Sequence, residues 1–206
     1  MYYKDFKDTH KGENIIVAGC GESALLVQDI ECTTIGVNDI TRLFEPDYTV
    51  VVNPIQSFAP GRWEHIACNN SKAIFTTIRS KMFDTHLPLD NPDKAIQIHL
   101  GKYDGARINQ LTVDYTRNSP YMAVIIAAHM GAKNIGLVGV DWTANHFFGE
   151  TGQHKLVSRP EGLTKIDAEY RKLQQTLQTA GIGFYNLSPV SLLSLNKIRI
   201  KDFLAL

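Results

Sequence analysis

Short apolar runs separated by longer polar stretches recur along most of this chain. Residues 14–18, 33–37 and 48–52 are runs of β-branched and small apolar side chains, each followed by glycine, asparagine or proline. A run of that length, mostly apolar or β-branched and bounded by turn formers, predicts a strand buried on both faces. Comparable runs at 72–77, 95–99, 134–139 and 183–187 predict four more. Between them, 22–28 and 62–69 read as short helices. The clearest helix follows Ser119-Pro120, where Tyr121 and Met122 begin an apolar run ending at Gly131. Serine at N-cap, proline at N1 and glycine just past the end are the expected punctuation, and a helix apolar on nearly all sides must be buried. Residues 163–180 place Leu163, Ile166, Tyr170, Leu173 and Leu177 three or four apart and stop at Gly181, an amphipathic helix. Ser188-Pro189 is expected to open one more short helix. Residues 1–13 read as a loose lead-in, 100–118 as irregular chain, and 142–160 as a loop or lid.

Short buried strands alternating with helices predict an α/β, Rossmann-like fold, a mostly parallel sheet with helices on both faces. The length, 206 residues, suits a single domain over 1–206 with a small lid at 142–162.

Composition changes this picture little. Lysine and arginine balance aspartate and glutamate at 21 each, so the basic excess of a nucleic-acid binder is missing. Three widely spaced cysteines, Cys20, Cys32 and Cys68, form neither a disulfide framework nor a zinc knuckle. The charged start does not suit a signal peptide, and no apolar run approaches the ~20 residues of a membrane span. A cytoplasmic protein is expected. Phe203 and Leu204 near the end would pack on a second copy or fold back on the domain.

Candidate chemistry gathers at the strand ends, where parallel sheets bind their ligands. Gly19-Cys20-Gly21-Glu22-Ser23 follows the first strand and would bring backbone amides to a phosphate. The same turn partly fits the Gly-x-Gly-x-x-Ala of nicotinamide-binding domains, with Asp39 about twenty residues on. A tight turn that binds nothing fits it too. Asn38 and Asn53 end the second and third strands and could meet a base or ribose, although asparagine also favours turns. Ser119 opens a helix whose N-terminus could face a phosphate, and Asp141 ends a strand either as a cap or as a ligand contact. In the lid, His146 and His154 could exchange protons with a substrate. No third ligand at suitable spacing makes a metal site with them.

The order of these motifs resembles the bacterial lipooligosaccharide sialyltransferases and the related motility-accessory-factor-like group, which also contains 6-hydroxymethylpterin diphosphokinase-like proteins. The resemblance covers about residues 14–195. It rests on the run from Ile15 to Ser23, Gly36-Val37-Asn38, Val52-Asn53-Pro54, the stretch from Ser119 to Met122 leading into 132–141, and Leu187-Ser-Pro-Val-Ser191. It implies a Rossmann-like domain with a flexible lid and a nucleotide donor such as a CMP-sugar, bound without an essential metal. By match, Gly19, Gly21 and Ser23 would line a phosphate loop, Asn38 and Asn53 would meet the nucleotide, and Ser119 would sit near it. The chain departs from the pattern at Cys20, where the sialyltransferases carry asparagine, at Glu22 and at Pro120. Thr164 stands where their catalytic histidine would fall.

The expectation is therefore a metal-independent glycosyltransferase with a nucleotide ligand, a glycan or small acceptor, and His146 or His154 as base. The alternatives are a diphosphokinase using Mg²⁺ held by Asp39 and Asp141, a nicotinamide-dependent oxidoreductase, and a non-catalytic nucleotide-binding protein.

Overall fold

A computed structural model describes residues 1–78, 89–150, 155–159 and 161–206. The first five strands are β1 (Asn14–Ala18), β2 (Thr33–Val37), β3 (Tyr48–Val51), β4 (Ala73–Thr76) and β5 (Ala95–Gln97), with helix α1 (Arg62–Ala67) between β3 and β4. A small ribbon of β6 (Leu100–Tyr103) and β7 (Val113–Tyr115) follows, then α2 (Ser119–His129) and β8 (Asn134–Val138). A hairpin of β9 (Asn145–His146) and β10 (Gly149–Glu150) precedes α3 (Gly162–Thr179), β11 (Gly183–Asn186) and α4 (Ile200–Leu204).

Seven strands form one sheet in the order β11-β8-β1-β2-β3-β4-β5. Every neighbouring pair in it is parallel. Alternate residues of β1 and β2 serve opposite faces, as the period of two requires. Ile15, Val17, Ile35 and Val37 pack with α2, α3 and the N-terminal aromatics Tyr3 and Phe6. Ile16 and Ala18 face a second cluster with Ala24, Ile40, Leu187 and Phe203. Long helices thus cover one face. The other is covered by 3-10 turns, α1 and α4, because its segments are too short for a full helix. Glu22–Val27 is one such 3-10 turn rather than the short α-helix expected.

Three further expectations change. The lead-in is not loose, because Tyr3 and Phe6 are buried against Phe75 of β4. Residues 100–118 contain the parallel β6–β7 ribbon. No helix follows Ser188-Pro189, where the chain runs irregularly; the Ser188 hydroxyl instead accepts the Ser191 amide and the Ser191 hydroxyl accepts the Leu193 amide, local bonds that compete with helix formation. Helix α2 begins one residue earlier than the Ser119 cap implies, with Asn118 at the N-cap position. Phe203 is fully buried and folds back on the domain, while Leu204 remains exposed. Among the described residues no helix is long and apolar enough to cross a membrane.

The ribbon is tied by Asp114, which is buried and accepts hydrogen bonds from the Lys102 and Arg107 amides and from the Arg107 guanidinium. Burial works against its ionised form, but Arg107 and the two amides outweigh burial and hold the carboxyl down to about 2. A depressed carboxylate stabilises the fold above its unfolded value of about 3.9 and loses that contribution as pH falls through the folded value. Asp114→Asn is therefore expected to be about 1–2 kcal/mol less stable than the parent at pH 7. The gap should narrow from pH 4 to pH 2. Melting curves of both proteins across that range check it, and a gap independent of pH would remove the charge from the account.

Candidate active site at the strand ends

The strand order reverses beside β1, where β8 lies on one side and β2 on the other. In an open parallel sheet, ligands bind beyond the carboxyl ends of the strands at such a switch point. Gly19, Cys20, Gly21 and Ser23 leave β1 there, and Gly139 to Asp141 leave β8.

The two segments press closely together. A Cβ on Gly19 would stand 2.3 Å from the Gly139 carbonyl oxygen, and one on Gly21 would stand 2.5 Å from Asp141 Oδ2. The close approach of the β8 end, backbone and side chains together, leaves no room for a side chain at either glycine. The Gly19 amide donates to Val138, the Gly21 amide to Gly139, and the Ser23 amide to Asp141 Oδ2. These three amides tie the end of β1 to the end of β8. Asp141 is buried and clasps the turn. Its Oδ1 accepts the Ser23 hydroxyl at 2.6 Å and the Ser188 hydroxyl at 2.7 Å. The Ser23 oxygen in turn accepts the Gly139 amide. Asp141 positions the site.

The hairpin β9–β10 folds over this turn. His146 bridges to Gly21, and the Phe147 amide donates to the Cys20 carbonyl. Asn145 donates to Glu22, so a position where the chain departs from the resembling pattern anchors the hairpin. His146 stacks on Phe148 at 5.1 Å between ring centroids. Phe148 lies under the guanidinium groups of Arg42, 4.2 Å from its centroid, and Arg62. Both arginines pair with Asp39, which is fully buried beside Cys20. Burial raises the Cys20 thiol well above its ordinary range, so it stays protonated. His154 lies outside the described residues.

Asn38 stands at the end of β2 with a left-handed φ of 53°, which asparagine tolerates better than most residues. Its Oδ1 is buried, and among the described residues no donor reaches it. Asn53 is exposed beyond the end of neighbouring β3. Ser119 is buried in the first turn of α2. Since α2 leads down into the start of parallel β8, its N-terminus lies at the same edge as these strand ends. The structure thus brings Gly19, Cys20, Gly21, Ser23, Asp141 and His146 together in direct contact, and places Asn38, Asn53 and Ser119 along the same edge.

Beside the start of α2, a cavity of about 240 Å³ opens between the ribbon and the N-termini of α2 and α3. Tyr103, Arg117, Asn118, Arg159, Lys165 and Glu169 line it, among others. Asn118 is held by the hydrogen bond that its Nδ2 donates to Tyr170 Oη. Arg117 and Arg159 have no carboxylate partner among the described residues. Burial, then the charge of Asp104, raises the Glu169 carboxyl above the ordinary range. The sequence reading missed these residues. Arg117, two positions before Ser119, was accessible as a cation beside a helix start; Glu169 had no local signal. A larger hollow of about 500 Å³ lies at the opposite edge, beneath the starts of β2, β3 and β4. There Asp47 is already engaged by Lys72 and Thr34, and strand starts are the wrong end for this fold's ligands.

No protein-family model matches the chain, and no curated protein sequence is similar to it. Solved structures are similar in fold. The sialyltransferase CstII from Campylobacter jejuni, in complex with the substrate analogue CMP-3FNeuAc, superimposes with a TM-score of 0.52 at 15% identity, over 90% of this chain and 86% of that one. The same enzyme with a trisaccharide acceptor and CMP gives 0.52 at 16% identity, with the same coverage. The MAf glycosyltransferase from Magnetospirillum magneticum AMB-1 gives 0.54 at 13% identity, over 100% of this chain and 40% of that one. The expected resemblance holds at the level of architecture: this chain has the α/β fold of the CstII sialyltransferase and the MAf glycosyltransferase.

Proposed function

We propose that the protein is a nucleotide-dependent glycosyltransferase that takes a CMP-type donor, acting in the cytoplasm as a single domain. The observation that carries this reading is Asn38. A buried amide oxygen without a donor costs about 1–3 kcal/mol, and this one stands at a strand end of the switch-point edge, with Asn53 and Ser119 along the same edge. An amino or hydroxyl group of a nucleotide would satisfy it. The CstII structures support the choice of nucleotide, since that enzyme of the same fold is solved with CMP. Gly19, Cys20, Gly21, Ser23 and Asp141 shape the floor of the donor site. His146, held over Gly21 by the hairpin, is the candidate base toward the acceptor hydroxyl. His154 retains its candidacy from sequence alone. The cavity beside α2 is the place for the glycan or small acceptor.

The Mg²⁺-dependent diphosphokinase reading fits less well. Its two carboxylates are engaged, Asp39 by Arg42 and Arg62, and Asp141 by Ser23 and Ser188. The same engagement of Asp39 leaves it unable to take a nicotinamide ribose.

Thermal shift with CMP, CDP and ATP, each with and without Mg²⁺, tests the proposal. CMP at a hundred times its Kd is expected to stabilise by about 2.7 kcal/mol, a rise of about 5–11 °C for a chain of this size. Asn38→Ala should weaken CMP about tenfold, the loss of one buried hydrogen bond. A shift only with ATP and Mg²⁺ would move the assignment to the diphosphokinase, and no shift with any nucleotide would end it.

A further inference from the structure

A nucleotide phosphate is held by N–H groups and positive charge. At the switch-point edge one guanidinium still offers both. Past Asn38 and Asp39, the 3-10 turn Ile40–Arg42 leaves the end of β2 and ends on Arg42. Arg42 Nη1 stands 3.6 Å from Asp39 Oδ2, too far for a hydrogen bond. Among the described residues the Arg42 guanidinium makes no hydrogen bond at all. Its side chain is 29% exposed, so a ligand can reach it.

Asp39 does not depend on Arg42. Arg62 Nε donates to Asp39 Oδ2 at 2.9 Å, and Arg62 Nη2 and the Cys20 thiol donate to Oδ1. One fully buried carboxylate is thus gripped by one guanidinium, and the second brings a charge that this carboxylate does not neutralise. The carboxylates of the neighbouring turn are engaged elsewhere, Glu22 by Asn145 and Asp141 by Ser23 and Ser188. Phe148 holds the free guanidinium in place, with its ring centroid 4.2 Å from the Arg42 carbon, and His146 stacks on the same ring. An arginine stacked on an aromatic face keeps the edge of its fork open to an anion, and it loses less freedom when the anion arrives.

We infer that Arg42 holds the phosphate of the nucleotide donor, with Phe148 of the hairpin as its positioning residue. The inference rests on the nucleotide reading and adds the phosphate contact to it. The ligand class is a phosphate ester, which two parallel N–H···O bonds from the fork distinguish from an uncharged nucleoside. Arg42 can turn from Asp39 to the phosphate without stranding a buried charge, because Arg62 and Cys20 remain on the carboxylate. The stack of Arg42, Phe148 and His146 also sets the phosphate contact beside the candidate base.

Two measurements on the full chain test this. In calorimetric titrations, Arg42→Ala should weaken CMP by about ten- to a hundredfold, the loss of hydrogen bonds to a charged group, and bind cytidine as the parent does. Arg42→Lys, which keeps the charge and loses the fork, should fall between. Phe148→Leu should weaken CMP severalfold and leave cytidine unmoved, a split that a merely structural role would not produce. Parental CMP affinity in Arg42→Ala, or an equal loss for CMP and cytidine, overturns the inference. The second measurement needs no nucleotide. Nitrogen-15 NMR follows the arginine Nε–H resonances as inorganic phosphate is added, the Arg42 resonance being the one that Arg42→Lys lacks. Phosphate should shift that resonance. No shift, or shifts confined to other arginines such as Arg117 and Arg159, overturns the phosphate site. A parent that binds neither CMP nor cytidine while phosphate moves Arg42 defeats the nucleotide reading and leaves the phosphate site standing.

Discussion

Asp141→Ala is expected to lower stability by about 3 kcal/mol, and the melting temperature by about 6–12 °C. The carboxylate accepts one amide and two hydroxyls, all buried. Hydrogen bonds to a charged group contribute about 1.5–3 kcal/mol each, but they are not additive here, because the hydroxyls can turn to other partners. The Ser23 amide cannot turn, and is left orphaned beneath the hairpin. Asp141→Asn should fall between, since its oxygen still accepts one donor and its NH2 can donate to a serine oxygen. Ser188→Ala, which removes one bond of the three, should cost about 1 kcal/mol. The ordering matters more than any single value. Melting temperatures of the three variants check it, and an Asp141→Ala protein that melts with the parent would mean that the clasp does not hold the turn.

The same clasp shows what could be read from residue order and what could not. Strands β1 and β2 were legible to the residue, because a buried parallel strand has to be apolar at every position and needs turn formers at its ends. Gly19, Asn38, Asn53 and Asp141 were legible as strand ends. Their partners were not. Ser23 and Asp141 are 118 positions apart, and Ser188 is 47 positions beyond Asp141; no local pattern records such a meeting. The neighbours of Gly19 and Gly21 were hidden for a related reason. A glycine that admits a ligand and one that admits another backbone look identical in a sequence, and here the other backbone is β8. Tyr3 and Phe6 escaped notice because two aromatics in a charged segment show no period, yet both reach the core. The ribbon escaped because Asp114 replaces a hydrophobic pattern with an ion pair and backbone bonds. The cavity beside α2 is assembled from three segments, around Tyr103, Arg117 and Leu156 to Glu169, which no local pattern joins.

Gly19→Ala is expected to cost at least about 3 kcal/mol, as much as losing the clasp and for a different reason. The new methyl group would meet the Gly139 oxygen at 2.3 Å and the Val140 side chain at 2.9 Å. The carbonyl cannot move away, because it accepts the Gly21 amide at 2.7 Å. Nor can Gly139 absorb the strain by rotation, since it already has a φ of 66° and its own Cβ position lies 2.3 Å from the Gly19 oxygen. The strand ends must therefore part, which removes the Gly19–Val138 hydrogen bond and shifts Ser23 away from Asp141. Gly61→Ala is the control: unlike Gly19 it has a positive φ, at 84°, but nothing lies within 4 Å of its added Cβ. It should cost only the ~1 kcal/mol of an alanine in a left-handed conformation. A Gly19→Ala protein that melts no lower than Gly61→Ala would mean that β1 and β8 tolerate separation at the switch point. On the clash described, Gly19→Ala should melt well below the control; under the proposed function it should also bind CMP at least tenfold more weakly than the parent, because the floor of the proposed donor site moves with the strand end.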